Sequence, residues 1–255
     1  FNMAGEVIGI NTAIYSPSGA SAGIGFAIPA ATAERVIAEL RTNGSVTRGW
    51  LGVSIQPITE DIARTLGLQG TRGALVSEPQ ADGPAARAGI RAGDAILTVN
   101  GQQIADGRDL ARRVADIRPG STARVEIIRS GERRTLNVEV GRLPEQRSAA
   151  ATPGGRDRGQ QARPTTLAGL GVAVAPTTEG GRGVVVVRVD ADGRAAALGL
   201  RRGDVIVEIA GEAVTTPAEL QAQLEAARAG GRNSVLTRVR TGERSRFVAL
   251  PVDRG

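Results

Sequence analysis

The chain has 255 residues, 32 basic side chains against 26 acidic ones and a formal net charge of +6; every basic residue is Arg, and Cys, His and Lys are absent. Those absences exclude a His general base or Ser-His-Asp triad, a disulfide or thiolate nucleophile, a Cys- or His-based zinc site and a lysine Schiff base. Carboxylate chemistry, oxygen-bound metals and binding without catalysis remain; binding is the default, with no catalytic residue, metal or cofactor expected.

The charge is spread thinly. Residues 48–142 carry 14 Arg and 11 acids, and residues 167–255 carry 12 and 10, so no segment is a basic block. Only five residues are aromatic. Nucleic-acid binding, which favours clustered cations and stacking rings, is not expected. No apolar run reaches the roughly 18 residues that a membrane span needs.

Taken in order, residues 1–44 read as two strands and a helix. Ile8, Ile10 and Ile14 alternate along the first strand, and Ile24, Phe26 and Ile28 along the second, with a turn at Ser16-Pro17-Ser18-Gly19 between them. Pro29 leads a helix running through Arg41, with Gly44 as its stop. So few elements cannot enclose a core, and Ile8, Ile10, Phe26 and Ile28 are expected to be exposed or poorly packed.

Residues 48–142 begin with Arg48-Gly49-Trp50-Leu51-Gly52-Val53. Strands follow at 53–55 and 73–76, then a short helix stopping at Gly89, a strand at 95–99 and a tight turn at Asn100-Gly101. Asp106 caps a longer helix with Leu110, Val114 and Ile117 at i, i+4 and i+7. A hairpin pairing residues 123–129 with 134–140 closes the unit. Residues 143–166, with Pro153, Gly154, Gly155 and Pro164 among Ala, Gln and Arg, read as a flexible linker.

Residues 167–253 repeat the same order. Residues 86–96 (ARAGIRAGDAI) match residues 196–206 (AALGLRRGDVI) at an offset of 110, and Leu51-Gly52-Val53 matches Leu170-Gly171-Val172 at 119. Thr216-Pro217-Ala218-Glu219 supplies an N-cap, an N1 proline and a capping-box glutamate for a helix carrying Leu220, Leu224 and Ala227. A unit of about 90 residues is a duplicated domain, not a solenoid repeat.

The repeated turn suggests a binding groove. A Gly-containing turn entering an edge strand can aim backbone N–H groups at a carboxylate, and a free strand edge beside an apolar helix stripe can take an extended peptide as an added strand. Leu51, Val53, Ile55, Leu110, Val114 and Ile117 would line the first groove, and Val172, Val174, Leu220 and Leu224 the second, with Leu170 and Gly171 in its turn. A single Leu-Gly-Val usually just enters a core strand; finding it twice in the same order favours the groove. Asp94 and Asp204 follow glycine in the two copies and are expected to shape that turn rather than to act as paired catalytic carboxylates.

On these residues the chain resembles the HtrA/DegP-type serine proteases. Residues 86–96, residues 196–206 and the two Leu-Gly-Val loops are similar to that family's PDZ domains. Residues 5–29, from Gly-Glu-Val-Ile-Gly-Ile-Asn-Thr-Ala-Ile-Tyr to Gly-Ile-Gly-Phe-Ala-Ile-Pro, resemble the end of its chymotrypsin-like protease domain. The resemblance implies a mainly β fold with short helices (α+β): a protease-barrel remnant at 1–44, PDZ domains at 48–142 and 167–253, and the linker between them. Tyr15, Ile24 and Phe26 match a specificity-pocket region. Arg48 matches a basic position before the carboxylate loop; its counterpart in copy two is Leu167, and Gly169 stands at the position of Trp50. Copy one is therefore expected to bind peptide ends better.

The family's Gly-Asn-Ser-Gly-Gly and its triad His and Asp do not occur here, so the chain alone is expected to be inactive. The resemblance further implies a periplasmic endopeptidase and chaperone for protein quality control under stress, acting on unfolded or misfolded polypeptides and protein C-termini. The parent would be a trimer-based homo-oligomer and this chain alone a monomer. The competing readings are a stand-alone, non-catalytic PDZ adaptor or scaffold, an active protease and a nucleic-acid binder.

Overall fold

The computed structural model describes residues 1–16, 23–144, 164–177 and 183–252. Most of the expected linker, and all but Ser16 of the turn at 16–19, lie outside the described residues. The chain forms two compact units, residues 1–48 and 49–255.

The first unit holds β1 (Gly9–Tyr15), β2 (Ile24–Pro29) and α1 (Ala30–Asn43). β1 and β2 pair antiparallel, with Tyr15 opposite Ile24 and Ala13 opposite Phe26. Pro29 precedes the first turn of α1, and Gly44 ends the helix at φ +68, returning its N–H to Leu40 O. Ile8, Ile10, Phe26 and Ile28 are all exposed, as a two-stranded sheet under one helix requires. The sheet is open.

The second unit contains both repeats. Copy one runs β3 (Gly49–Trp50), β4 (Val53–Gln56), α2 (Glu60–Thr65), β5 (Ala74–Pro79), α3 (Pro84–Arg87), β6 (Ala95–Val99), β7 (Gln102–Gln103), α4 (Gly107–Ala115), β8 (Thr122–Arg129), β9 (Glu132–Glu139) and β10 (Gly141–Arg142). Copy two runs β11 (Thr165–Leu167), a 3-10 turn (Ala168–Leu170), β12 (Val172–Pro176), β13 (Val184–Val189), α5 (Arg194–Ala197), β14 (Val205–Ile209), β15 (Glu212–Ala213), α6 (Pro217–Ala229), β16 (Ser234–Thr241) and β17 (Arg244–Pro251). The fold is mostly β with short helices, and its sheets do not close into barrels.

The main sheets are ordered β4-β5-β6-β8-β9 and β11-β12-β13-β14-β16-β17. Each encloses an aliphatic core. Ile96, Ile104, Val125, Ile127 and Val138 fill the first, and Val174, Val186, Ile206, Leu220 and Leu250 the second. The turns follow their residue types: Asn100-Gly101 and Ala210-Gly211 hold consecutive positive φ angles, as a two-residue hairpin needs.

A third cluster joins the copies. Ile58, Ile62, Ala63, Leu66, Leu75, Ala95 and Ile128 of copy one pack with Phe247 and Ala249 of copy two. The short helix α2, absent from the sequence expectation, supplies Ile62 and Ala63, and its C-cap supplies Leu66. Its signal was present: Thr59 caps it through the Ile62 N–H, ahead of Glu60 and Asp61. Six residues carry too little periodicity to announce a helix, and its apolar face is buried between copy-one residues such as Leu75 and Ile128 and a partner some 180 positions away.

Candidate functional site

In copy one β4 is an edge strand of the sheet, hydrogen-bonded on one side to β5 and, among the described residues, unpaired on the other. The turn before it is tied down from behind. Leu51 O accepts from Ala85 N and Gly52 O from Gln80 N, both at 2.8 Å. All peptide bonds are trans, so each carbonyl points away from the N–H of the following residue. The Gly52 and Val53 N–H groups are therefore turned away from the 80–85 loop. Among the described residues, the Leu51 and Gly52 N–H groups meet no acceptor.

Gly52 adopts φ +73, and a Cβ there would meet Gly83 Cα at 3.1 Å and the Trp50 ring at 3.0 Å. The glycine is thus required both by backbone conformation and by close approach. Trp50 is half-buried, and its strand β3 pairs with β10, with Gly141 opposite it. Gly49 is buried so closely against the end of α4 that a Cβ would lie 2.2 Å from Val114 O and 2.5 Å from Ile117 O. Gly107, at the start of α4, faces the tip of Ile55, 2.7 Å from where its Cβ would stand. Gly49 and Gly107 set how closely α4 approaches β3 and β4, and the sequence offered no signal for either.

The expected lining residues divide into floor and wall. Leu51, Leu110 and Val114 are buried in the copy-one core, whereas Val53, Ile55 and Ile117 are half-buried against it. Ile117 lies beyond the end of α4, which is capped at Asp116, so the expected helical stripe holds for Leu110 and Val114 only. Arg48 is exposed at the end of the first unit. Tyr15, Ile24 and Phe26 are exposed on the two-stranded sheet of that unit, where nothing among its described residues covers them.

The helix that flanks the groove is held by its own first turn. Asp106 caps α4 by accepting from Asp109 N at 2.9 Å, and Asp109 accepts from Ala105 N at 3.1 Å. Arg112, at 2.7 Å, is the main cause that holds the Asp109 carboxyl far below the usual carboxylate range.

In copy two the turn recurs, with Gly171 at φ +66 and its carbonyl accepting from Asp190 N at 2.8 Å. Leu170, Val172, Val174, Leu220 and Leu224 are all buried. The free edge does not recur. β11 pairs with β12 on the side that β4 leaves open in copy one.

Asp94 and Asp204 belong to the two Gly-Asp turns and brace them. Asp94 is fully buried and accepts from Arg91 N at 2.8 Å and from Arg129 Nε and Nη2 at 2.7 Å each. Asp204 accepts from Arg201 N at 3.0 Å and from the Thr241 hydroxyl at 2.6 Å, with Arg246 at 3.5 Å. Both carboxylates are engaged in holding the fold. Among the described residues no group of three or more acidic side chains gathers in a way that could hold a metal ion.

In both copies a small antiparallel sheet is entered through a glycine turn and flanked by a helix, the architecture of a PDZ domain. Residues 49–140 and residues 185–238 both match PDZ-domain family models. The chain is 47% identical over 253 residues to a probable periplasmic serine endoprotease, DegP-like, of Brucella suis, covering 99% of this chain and 49% of that protein. It is 48% identical over 258 residues to the Rhizobium meliloti protein of the same description, covering 100% and 51%. A solved HtrA-type protease, AlgW with a tripeptide, is similar at 46% identity and a TM-score of 0.50, over 57% of this chain and 48% of that one. The chain is homologous over nearly its whole length to DegP-like periplasmic serine endoproteases and carries two PDZ-domain matches, and it spans about half the length of the curated relatives it matches.

Proposed function

We propose that copy one is a receptor for the apolar C-terminal ends of extended polypeptides, within a periplasmic HtrA/DegP-like endopeptidase of protein quality control. The observation that carries this reading is the open edge of β4 together with the outward-turned N–H groups of the 51–53 turn. A peptide whose carboxylate sits at that turn has its end beside the start of β4, so it runs antiparallel to the strand. Its backbone gains the hydrogen bonds of an added strand, and its terminal side chain lies over Val53, Ile55 and the α4 floor of Leu110 and Val114. Arg48 adds positive charge immediately before the turn in sequence.

The working units are 1–44, 48–142, 143–166 and 167–253. The protease activity, the substrates that are unfolded or misfolded proteins, and a trimer-based assembly are attributed to the intact protein. This chain on its own is assigned binding without hydrolysis.

Calorimetry on the whole chain tests the reading with a ten-residue peptide ending in valine and its C-terminally amidated twin. Saturable binding of the free acid, lost on amidation, is the expected outcome. Equal affinity for the two removes the carboxylate turn from the reading, and no binding of either removes the groove.

A further inference from the structure

We infer that the segment 165–167 is a built-in occupant of the copy-two groove, so that copy two is closed to outside peptide until β11 is released. The inference rests on the peptide reading of copy one.

Three observations converge on it. First, the register is that of a bound peptide end. β11 runs antiparallel to β12, with Thr165 opposite Val174 and Leu167 opposite Val172. Its last residue thus lies beside the Leu170-Gly171-Val172 turn, where the terminal residue of a ligand would sit. Second, the edge strand is sealed. In copy one Val53, Ile55 and Gln56 are half-buried and Ser54 is exposed. In copy two Val172, Ala173, Val174 and Ala175 are all buried, at 0–6% exposure. Third, Leu167 itself is only 8% exposed and belongs to the same buried cluster as Leu220 and Leu224 of α6.

The sequence bears the same mark. Residues 144–166 contain no Leu, Ile, Val, Phe, Met, Trp or Tyr, so Leu167 is the first large apolar side chain after Leu143. It stands where copy one has the exposed Arg48. Copy one puts a cation before its turn, and copy two puts an apolar side chain that folds back over its own edge. A three-residue strand is a weak seal by its hydrogen bonds alone, because each contributes only about 1 kcal/mol. Burial of Leu167 fixes it in place.

The whole chain is the test material, and the probe is the valine-ended ten-residue peptide. Wild-type chain is expected to take one peptide. Ile55→Asp, which charges the copy-one wall, is expected to take none. Adding Leu167→Ser to Ile55→Asp is expected to create one new site, with affinity at least about tenfold above that of the single variant, roughly 1.4 kcal/mol. A second release variant, Thr165→Gly with Thr166→Gly, leaves the core untouched and guards against unfolding. Retained binding of one peptide by Ile55→Asp means that copy two is already open and overturns the inference. So does the absence of any new site in both release variants while β14 amides stay protected.

Hydrogen exchange provides an arm independent of peptide. Release should speed exchange at residues 172–174 by about tenfold or more, with residues 205–209 unchanged; unchanged rates at 172–174 overturn the seal. Wild-type chain that takes no peptide defeats the reading of copy one, and the exchange arm then still decides whether β11 closes the edge.

Discussion

The side chain of Gln56 in copy one makes two hydrogen bonds to the backbone of Phe247 in copy two: Nε2 donates to Phe247 O at 3.0 Å, and Oε1 accepts from Phe247 N at 2.8 Å. Gln56 ends the groove strand β4. Successive side chains of a strand face opposite ways, so Ile55 turns toward the start of α4 while Gln56 turns toward the other copy. Arg238 to Glu78, at 3.3 Å, and the Thr65 and Ser234 hydroxyls, at 2.7 Å, add further polar contacts across the same boundary. The two copies are therefore docked, and the edge strand β4 is anchored to the other copy by a side chain on one face.

Gln56→Ala should loosen this docking and leave each copy folded. Two lost hydrogen bonds are worth about 1–3 kcal/mol together. Backbone relaxation should then report shorter correlation times for both copies, and unchanged tumbling would mean that the apolar cluster alone holds them.

Ile55→Asp should weaken peptide binding at copy one by at least about tenfold, or roughly 1.4 kcal/mol. Ile55 is the better probe than Leu51. Leu51 is 3% exposed and belongs to the core, so a charge there unfolds the domain before it reports on the groove. Calorimetry with the valine-ended peptide, alongside a melting curve, separates the two effects.

Gly52→Ala should destabilise copy one by about 1–2 kcal/mol, the cost of a left-handed backbone for an L side chain. It should also lower peptide affinity, because the turn shifts to clear Gly83 and Trp50. Gly101→Ala, with nothing within 4 Å of its Cβ position, carries the backbone cost without the clash. Equal peptide affinity in the two variants would show that the close approach at Gly52 does not matter.

Asp94→Asn should cost copy one about 3 kcal/mol, since it leaves the Arg129 guanidinium, 18% exposed, without its charge partner. Asp204→Asn should cost only about 1 kcal/mol, because a hydroxyl supplies its shortest bond and Arg246 stands further off. Urea unfolding of both variants, followed by copy-specific amides, checks the order.

Acid should loosen the start of α6. The Thr215 backbone N–H, the Thr215 hydroxyl and the Thr216 cap hold the Glu219 carboxyl below its usual value. A folded pKa below the unfolded one gives stability that is fully present above the unfolded pKa, near 4.3, and lost as pH falls through the folded one. Exchange at 215–219 should therefore accelerate below about pH 4. Glu219→Gln should flatten that dependence, and an identical acid response in the variant would assign it to other groups.

The repeat, the order of elements, the caps at Asp106 and Thr216, the turn glycines and both Leu-Gly-Val loops could be read from the chain, because they depend on local conformation and on apolar spacing. The apolar residues expected to line the proposed groove were legible as types, although the division into buried Leu51, Leu110 and Val114 and half-buried Val53, Ile55 and Ile117 was not. Three features came only from tertiary structure. The docking of the copies needed Phe247 and α2 to meet across some 180 residues. Gly49 and Gly107 owe their role to the close approach of α4 to β3 and β4 respectively. The edge of β12 looked free because Leu167 was aligned with Arg48 as a lost cation, and its burial was settled by which strand edge lay open to it. A sequence fixes which side chains seek to be buried; the fold decides against what.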